Sequence, residues 1–423
     1  MKTVCLATLL LLTLGACQDD VAVSTMLCSQ HGNNDGLTLQ DGFCAIVVAD
    51  SLGRARHLTV RDNGDIFVAL RQQNDHGAIA ALRDTDGDGR ADTMAFFGDI
   101  GGTGIHLRGD YLYFAADTFI VRYPMGLGLV PIDEAEPIVT GFVRQRSHAV
   151  KPFEFDNAGN LYVNIGAPSN ACMEQTRTPE SPGQDPCPLL EGTGGVWRFA
   201  ADQTGQTLED GIRYATGIRN GVANAWNTAM DKLYVVQHGR DDLHRFWPDR
   251  YTEEQNNDLP SEEFFEVEEG DDFGWPYCYH DHLQGLKLLN PEYGGDGALV
   301  GRCADMKGPI HGFPGHWAPN DLLFYQGTMF PERFHGGVFV AFHGSWNRSP
   351  VQQGFQITFL PFADGAVTGD PEMFADGFAG ANTVAVSNAA RARPTGLATG
   401  PDGSLYISDS VKGRIWRIVY VEI

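Results

Sequence analysis

His148 stands in RQRSHAVKPFEF (residues 144–155), with basic residues on both sides, and leads into DNAGNLYVNIG, which reads as a buried β-strand. An imidazole titrates near neutrality, so a histidine just ahead of a strand has two roles open to it. It can cap the strand with one hydrogen bond in a core, or serve as a base at the mouth of an active site. A second chemistry is written in DTDGDGRAD at 84–92, where Asp84, Asp86, Asp88 and Asp92 are set around a turn that glycine permits. Closely spaced carboxylate oxygens on a tight turn are what a hard Ca²⁺ ion requires. Ala95 stands where a bidentate Glu would close such a loop, which leaves a structural Ca²⁺ site or a solvated acidic turn. A further acidic group, Glu262, Glu263, Asp271 and Asp272, lies near Gly274-Trp275-Pro276, whose carbonyls could also face a cation.

Against this background the basic residues in loops stand out: Arg219 beside Asn220, Arg348, and Arg391 with Arg393. Several guanidinium groups meeting in one pocket would bind carboxylates through forked hydrogen bonds. The alternative is that each arginine pairs singly with a surface acid. The sequence contains no HExxH, GxSxG elbow, Walker loop or Rossmann GxGxxG, which argues against metalloprotease, α/β-hydrolase and nucleotide-dependent chemistry.

Charge narrows the partners. Thirty Lys plus Arg against 54 Asp plus Glu give a net charge of −24, a field that repels nucleic acid and is indifferent to a neutral sugar. The opening MKTVCLATLLLLTLGACQDD has a Lys start, an apolar stretch too short to span a bilayer, and small residues before Cys17. Leu14-Gly15-Ala16-Cys17 resembles a bacterial lipobox. Residues 1–16 are therefore expected to be a signal peptide, 17–43 a lipidated linker, and the rest a soluble body on a lipid anchor. The expected location is the cell envelope, facing the periplasm, with the outer membrane favoured. Ordinary secretion with a free Cys17 is the alternative. Cysteines 28, 44, 172, 187, 278 and 303 remain in the exported chain, and pairing of sequence neighbours is the economical disulfide arrangement.

The elements that must position these residues are strands. Turns bearing Asp, Asn or Gly precede β-forming runs in DNGDIFVAL, RGDYLYFAAD, DNAGNLYVNIG, DKLYVVQHG, GGVFVAFHGSW and PDGSLYISDS. The first three recur at about 47 residues, the length of one four-stranded propeller blade. Each run reads as an inner strand. Six units predict an all-β, six-bladed β-propeller over residues 44–423, with a long inter-blade insertion around 250–320 and GRIWRIVY as the outer strand that closes the ring.

Taken in order, HAVKPFEFDNAGNLYVNIG, YATGIRNGVANAWN, EEGDDFGWPYCY, VFVAFHGSWNRSP and RPTGLATGPDGSLYISDS resemble the soluble pyrroloquinoline quinone-dependent sugar dehydrogenases, above all the sorbosone and pyranose dehydrogenase branch. The resemblance runs from about Cys44 to Ile423 and implies the same six-bladed fold. It implies that His148 is the general base, and that Arg219, Asn220, Arg391 and Arg393 bind the cofactor. It places a Ca²⁺ beside the cofactor, held by the carbonyls of Gly239, Arg240 and Phe273 and by Glu263. His343 stands where glucose and aldose enzymes carry a cofactor-binding Lys, leaving Arg348 or Lys151 to supply the positive charge. The implied activity is oxidation of an aldose or sorbosone-type sugar, with an external cytochrome or quinone taking the electrons. A cofactor-free propeller, acting as a Ca²⁺-dependent lactone hydrolase or as a sugar- or protein-binding module, is the other reading; it has no need of the arginine cluster.

Overall fold

The six turn-plus-strand motifs become equivalent elements of six sheets, each built on four antiparallel strands: Ile66–Leu70, Tyr111–Ala116, Asn160–Ile165, Lys232–Gln237, Val338–His343 and Leu405–Asp409. Each is the second strand of its blade rather than the innermost. Strands bond to both its edges and neighbouring blades cover its faces, so Ile66–Leu70 is buried along its whole length. That is why these runs are continuously apolar. The innermost strands are Ala55–Val60, Gly102–Arg108, Phe153–Phe155, Ala223–Asn227, Pro319–Phe324 and Pro394–Thr399, each touching the next around a central axis. The molecule is a six-bladed β-propeller, known here from a computed structural model that describes residues 33–381 and 383–421 together with Thr25, Cys28 and Ser29. The signal segment 1–16 and the lipobox Cys17 lie outside the described residues.

The ring closes differently from the sequence reading. Ile415–Tyr420 is the third strand of the sixth blade, and its outer neighbour is Phe43–Ala49 from the N-terminal side of the chain. Pairing the two ends of the chain leaves no open gap in the ring. Thr38–Leu39 pairs with Glu372–Asp376 of the fifth blade, so part of the segment read as linker belongs to the propeller.

The insertion around 250–320 falls between strands of the fourth blade, Lys232–Gln237, Glu262–Val267 and His311–Phe313. It carries two short helices, Leu243–Phe246 and Glu253–Asp258, and a hairpin of Cys278–Asp281 with Leu286–Leu289. The disulfides are Cys28–Cys44, Cys172–Cys187 and Cys278–Cys303, the neighbour pairing expected. The last two, one within a long loop of the third blade and one within the insertion of the fourth, pack in one cluster with Trp275 and Tyr277. Among the described residues no helix is long and apolar enough to cross a membrane. Second strands end, and innermost strands begin, at the same end of the axis. Residues far apart in sequence therefore meet there.

Candidate active site

His148 sits three residues after Gln145 in the loop that enters the third blade, with a left-handed backbone (φ 54°). Its Nδ1 lies 2.5 Å from the carbonyl of Ala167, which fixes the ring proton on Nδ1 and leaves a lone pair on Nε2. The Gln145 amide clamps this geometry by donating to the carbonyls of His148 and Gly166, each at 2.7 Å. Gly166 has to be glycine, because a Cβ there would stand 2.7 Å from that of His148. Burial, then the charge of Arg219, pushes the imidazole down to about 3, so it is neutral at physiological pH.

His148 lines a cavity of about 320 Å³ with Arg219, Asp241, Glu262, His343 and Arg393. Arg219 is buried, and its guanidinium donates to the carbonyl of Gly239 at 2.6 Å, to Asp241 at 2.9 Å and to Asn170. Burial pushes the Asp241 carboxyl up, but Arg219 and Arg177 more than offset this and hold it well below the usual carboxylate range. Glu262 accepts the backbone N–H groups of Gly239 (2.7 Å) and Ala318 (3.1 Å), yet burial lifts it to about 8. A neutral imidazole and a protonated carboxyl thus line one cavity, two environments pushing two groups apart. Asn220 follows Arg219, and its Oδ1 is buried without a partner.

A second cavity of about 520 Å³ adjoins the first, sharing His343 and Arg393 and adding Arg54, Arg56 and Arg71. Arg71 is paired with Asp117 through two bonds of 2.9 Å. Among the described residues no ion pair joins Arg54, Arg56 or Arg393 to a carboxylate. The Arg393 guanidinium donates only to the carbonyls of His343 and Gly344, while its backbone N–H donates to Asp409. Burial, then the charge of Arg71, pushes Arg56 down to about 10, and its Nε has no partner. Guanidinium groups without carboxylate partners can bind planar carboxylates through forked hydrogen bonds.

Other expected residues go elsewhere. Arg391 donates to the carbonyl of Asp35 at 2.6 Å, because the chain at 391–392 still bonds to 378–379 of the fifth blade and crosses to the sixth only at Arg393. Arg348 fastens the fourth-blade insertion through Asp258 and the carbonyls of Gly315 and Asn257. Lys151 is buried, donates to the Ala149 carbonyl and is pushed down to about 8, chiefly by burial. His343 bonds Ser410 at 2.7 Å and is held neutral by burial. The positive groups that share a cavity with His343 are Arg54, Arg56, Arg71 and Arg393 rather than Arg348 or Lys151. The sequence carried a signal for Arg54 and Arg56: RAR at 54–56 stands at the start of the first innermost strand, and RAR at 391–393 directly precedes the last.

Of the oxygens expected for Ca²⁺ beside a cofactor, those of Glu263 and the Gly239 carbonyl are engaged within the protein. Glu263 is paired with Lys287 at 2.6 Å and bonded by Gln237, facing away from the cavity that its neighbour Glu262 lines. Phe273 packs in the core against Phe265, the Arg240 side chain is buried on Glu292, and the Gly239 carbonyl is taken by Arg219. In the separate loop of the first blade, oxygens of Asp84, Asp86 and Asp88 lie within 4.8 Å of one another, while Asp92 turns to Thr85.

A six-bladed propeller with a histidine-and-arginine cavity at one end of its axis is the architecture these observations define. The family model described as TrAA12-like matches residues 37–421, and the chain belongs to that family. Structural relatives include the pyranose dehydrogenase PQQ domain of Coprinopsis cinerea, with 18% identity, TM-score 0.72 and coverage of 90% of this chain and 97% of that one. A calcium structure of Trichoderma reesei Carbohydrate-Active Enzymes Family AA12 shares 16% identity, TM-score 0.72, and covers 91% and 97%. PQQ-bound aldose sugar dehydrogenase of Streptomyces coelicolor shares 17% identity, TM-score 0.54, and covers 90% and 99%. At these identities the likeness is one of fold. An uncharacterized protein of Borreliella burgdorferi is 27% identical over 212 residues, and the match spans 49% of each chain.

Proposed function

We propose that this protein is a sugar dehydrogenase that oxidises an aldose or sorbosone-type sugar with pyrroloquinoline quinone as its bound hydride acceptor. The observation that carries the reading is the wall of Arg54, Arg56 and Arg393, free of carboxylate partners and contiguous with the cavity of His148, in a chain of net charge −24. Clustered cations repel one another unless an anion settles among them. A planar tricarboxylate fits their forks, and the unpartnered Arg56 Nε is a further donor it could satisfy. A cofactor-free hydrolase or binding module would leave this wall without a ligand.

When bound, the quinone supplies a two-electron acceptor for the hydride of the substrate carbon. The chain's own residues do the rest. Arg54, Arg56 and Arg393 would hold the carboxylates, with Arg219 and Asn220 at the other end. Nε2 of His148 takes the hydroxyl proton from the carbon that loses the hydride, while Ala167 keeps the other proton on Nδ1. The hydrogen-bonded frame of Gln145 and Gly166 holds the imidazole ready, so no reorganisation is needed at the moment of transfer. The chain carries no haem or flavin motif, so an external cytochrome or quinone would remove the electrons. Ca²⁺ is assigned to Asp84, Asp86 and Asp88 as a structural ion. The lipobox supports a lipid-anchored envelope protein facing the periplasm, and Gln18 after Cys17 favours the outer membrane.

The test is dye reduction by quinone-loaded protein across a panel of aldoses and keto-aldoses. At least one sugar should drive turnover, and His148→Ala should lower it by roughly 10²- to 10⁴-fold while quinone binding is kept. Absence of sugar-dependent reduction, or full activity in His148→Ala, contradicts the reading.

A further inference from the structure

Among the described residues, Trp346 is the one exposed aromatic side chain: 53% of it faces solvent, while every other large exposed apolar residue is aliphatic or methionine. Leaving an indole in water forfeits much of the largest apolar burial available to a side chain. The ring is also firmly presented. Ser345, directly before it, is buried and bonded to Gln352 (2.8 Å) and to the backbone of Gln353. Arg177, from the disulfide-stapled loop of the third blade, lies 6.0 Å from the ring centroid and is itself anchored on Asp241 and Asp242. Trp346 lines the same cavity as His148.

Asn347 is a second and independent observation. It lines that cavity too, and its amide N–H groups face Asp241 (3.2 Å) and His316 (3.3 Å), which fixes the orientation of the amide. Its Oδ1 is then left buried with no donor. A flat apolar face, an unfilled acceptor beside it and the Nε2 lone pair of His148 describe a ligand with a C–H face and several hydroxyl donors. A pyranose ring has both. We propose that Trp346 is the platform on which the substrate's sugar ring stacks, and that Asn347 Oδ1 accepts one of its hydroxyls, which sets specificity for ring sugars. The inference rests on the reading of the protein as a sugar dehydrogenase.

The experiment is titration of cofactor-free protein with the aldose and keto-aldose panel, followed by tryptophan fluorescence, alongside steady-state kinetics of the quinone-loaded form. Sugar should quench the wild-type signal and protect it from acrylamide. Trp346→Ala should weaken sugar binding and raise KM for sugar roughly five- to tenfold, with an unchanged Tm and an unchanged KM for the electron acceptor. Trp346→Phe should recover part of the loss, and Asn347→Ala should raise KM for sugar in the same direction. Unchanged sugar affinity in Trp346→Ala, no sugar-dependent signal in the wild type, or an effect confined to the acceptor overturns the assignment; the last result would make this ring a docking point for the redox partner. Failure of the wild type to bind quinone sinks the dehydrogenase reading instead, and the fluorescence titration is independent of it.

Discussion

In the proposed reaction His148 serves as a base because its surroundings decide its tautomer and keep it neutral, and the same burial makes its neighbours sensitive to pH. Burial pushes His57 and His148 down to about 3 and His238 to about 4, and lifts Glu262 and Asp321 to about 8. The histidines take up protons in the unfolded chain below about pH 6.5 but resist them in the fold, so their contribution is lost as pH falls from there toward 3. Glu262 and Asp321 hold protons in the fold that the unfolded chain releases from about pH 4, so their contribution is lost as pH rises toward 8. Between those limits the histidines outnumber the two acids, since burial also pushes His280, His282, His311, His316 and His343 down, and above their range the two acids draw stability down. Tm should therefore peak near pH 6.5, and the double variant Glu262→Gln, Asp321→Asn should flatten the alkaline limb in a calorimetric pH series. A Tm that climbs steadily from pH 6.5 to 8 would refute this. His148 itself was legible in the sequence, from its position ahead of a strand and its family motif. Glu262 was not: it and Glu263 are adjacent on one strand, and only the register opposite Gln237 tells which of them turns to the cavity.

At the scale of elements, the sequence announced which segments are strands but not where the chain crosses from one blade to the next. That crossing is why Arg393 faces the cavity while Arg391 ties down Asp35. It is also why Arg54 and Arg56, on the opposite side of the closure, join Arg393. The acidic turn after Ile79–Arg83 is more local, and its glycines are readable as such: Gly87 and Gly89 both have positive φ, and their N–H groups bond to Asp84 at 2.7 and 2.8 Å. The loop thus holds Asp84, Asp86 and Asp88 close together, where like charges raise the cost of folding unless a cation is present. Chelation should lower Tm by several degrees, and Ca²⁺ should restore it, with Asp86→Asn blunting the response. An identical Tm with and without chelator would show that the turn is merely solvated.

For the molecule as a whole, the six-bladed plan was legible because each blade repeats one turn and one apolar strand, whose burial on both faces leaves a continuous signature. The closing strand Phe43–Ala49 was missed because it pairs with a partner almost the full length of the chain away, and nothing local marks such a pairing. The ring it completes brings residues from the first, third, fourth, fifth and sixth blades to one end of the axis, where positive charge is concentrated in an otherwise acidic protein. The most direct test of that concentration is a calorimetric titration of purified protein with pyrroloquinoline quinone. The arrangement predicts saturable binding at micromolar quinone or tighter, weakened roughly 10-fold or more in Arg56→Ala and Arg393→Ala but little changed in Arg391→Ala, whose guanidinium serves the fold. No binding at micromolar quinone, or equal losses from Arg391→Ala and Arg393→Ala, would contradict it.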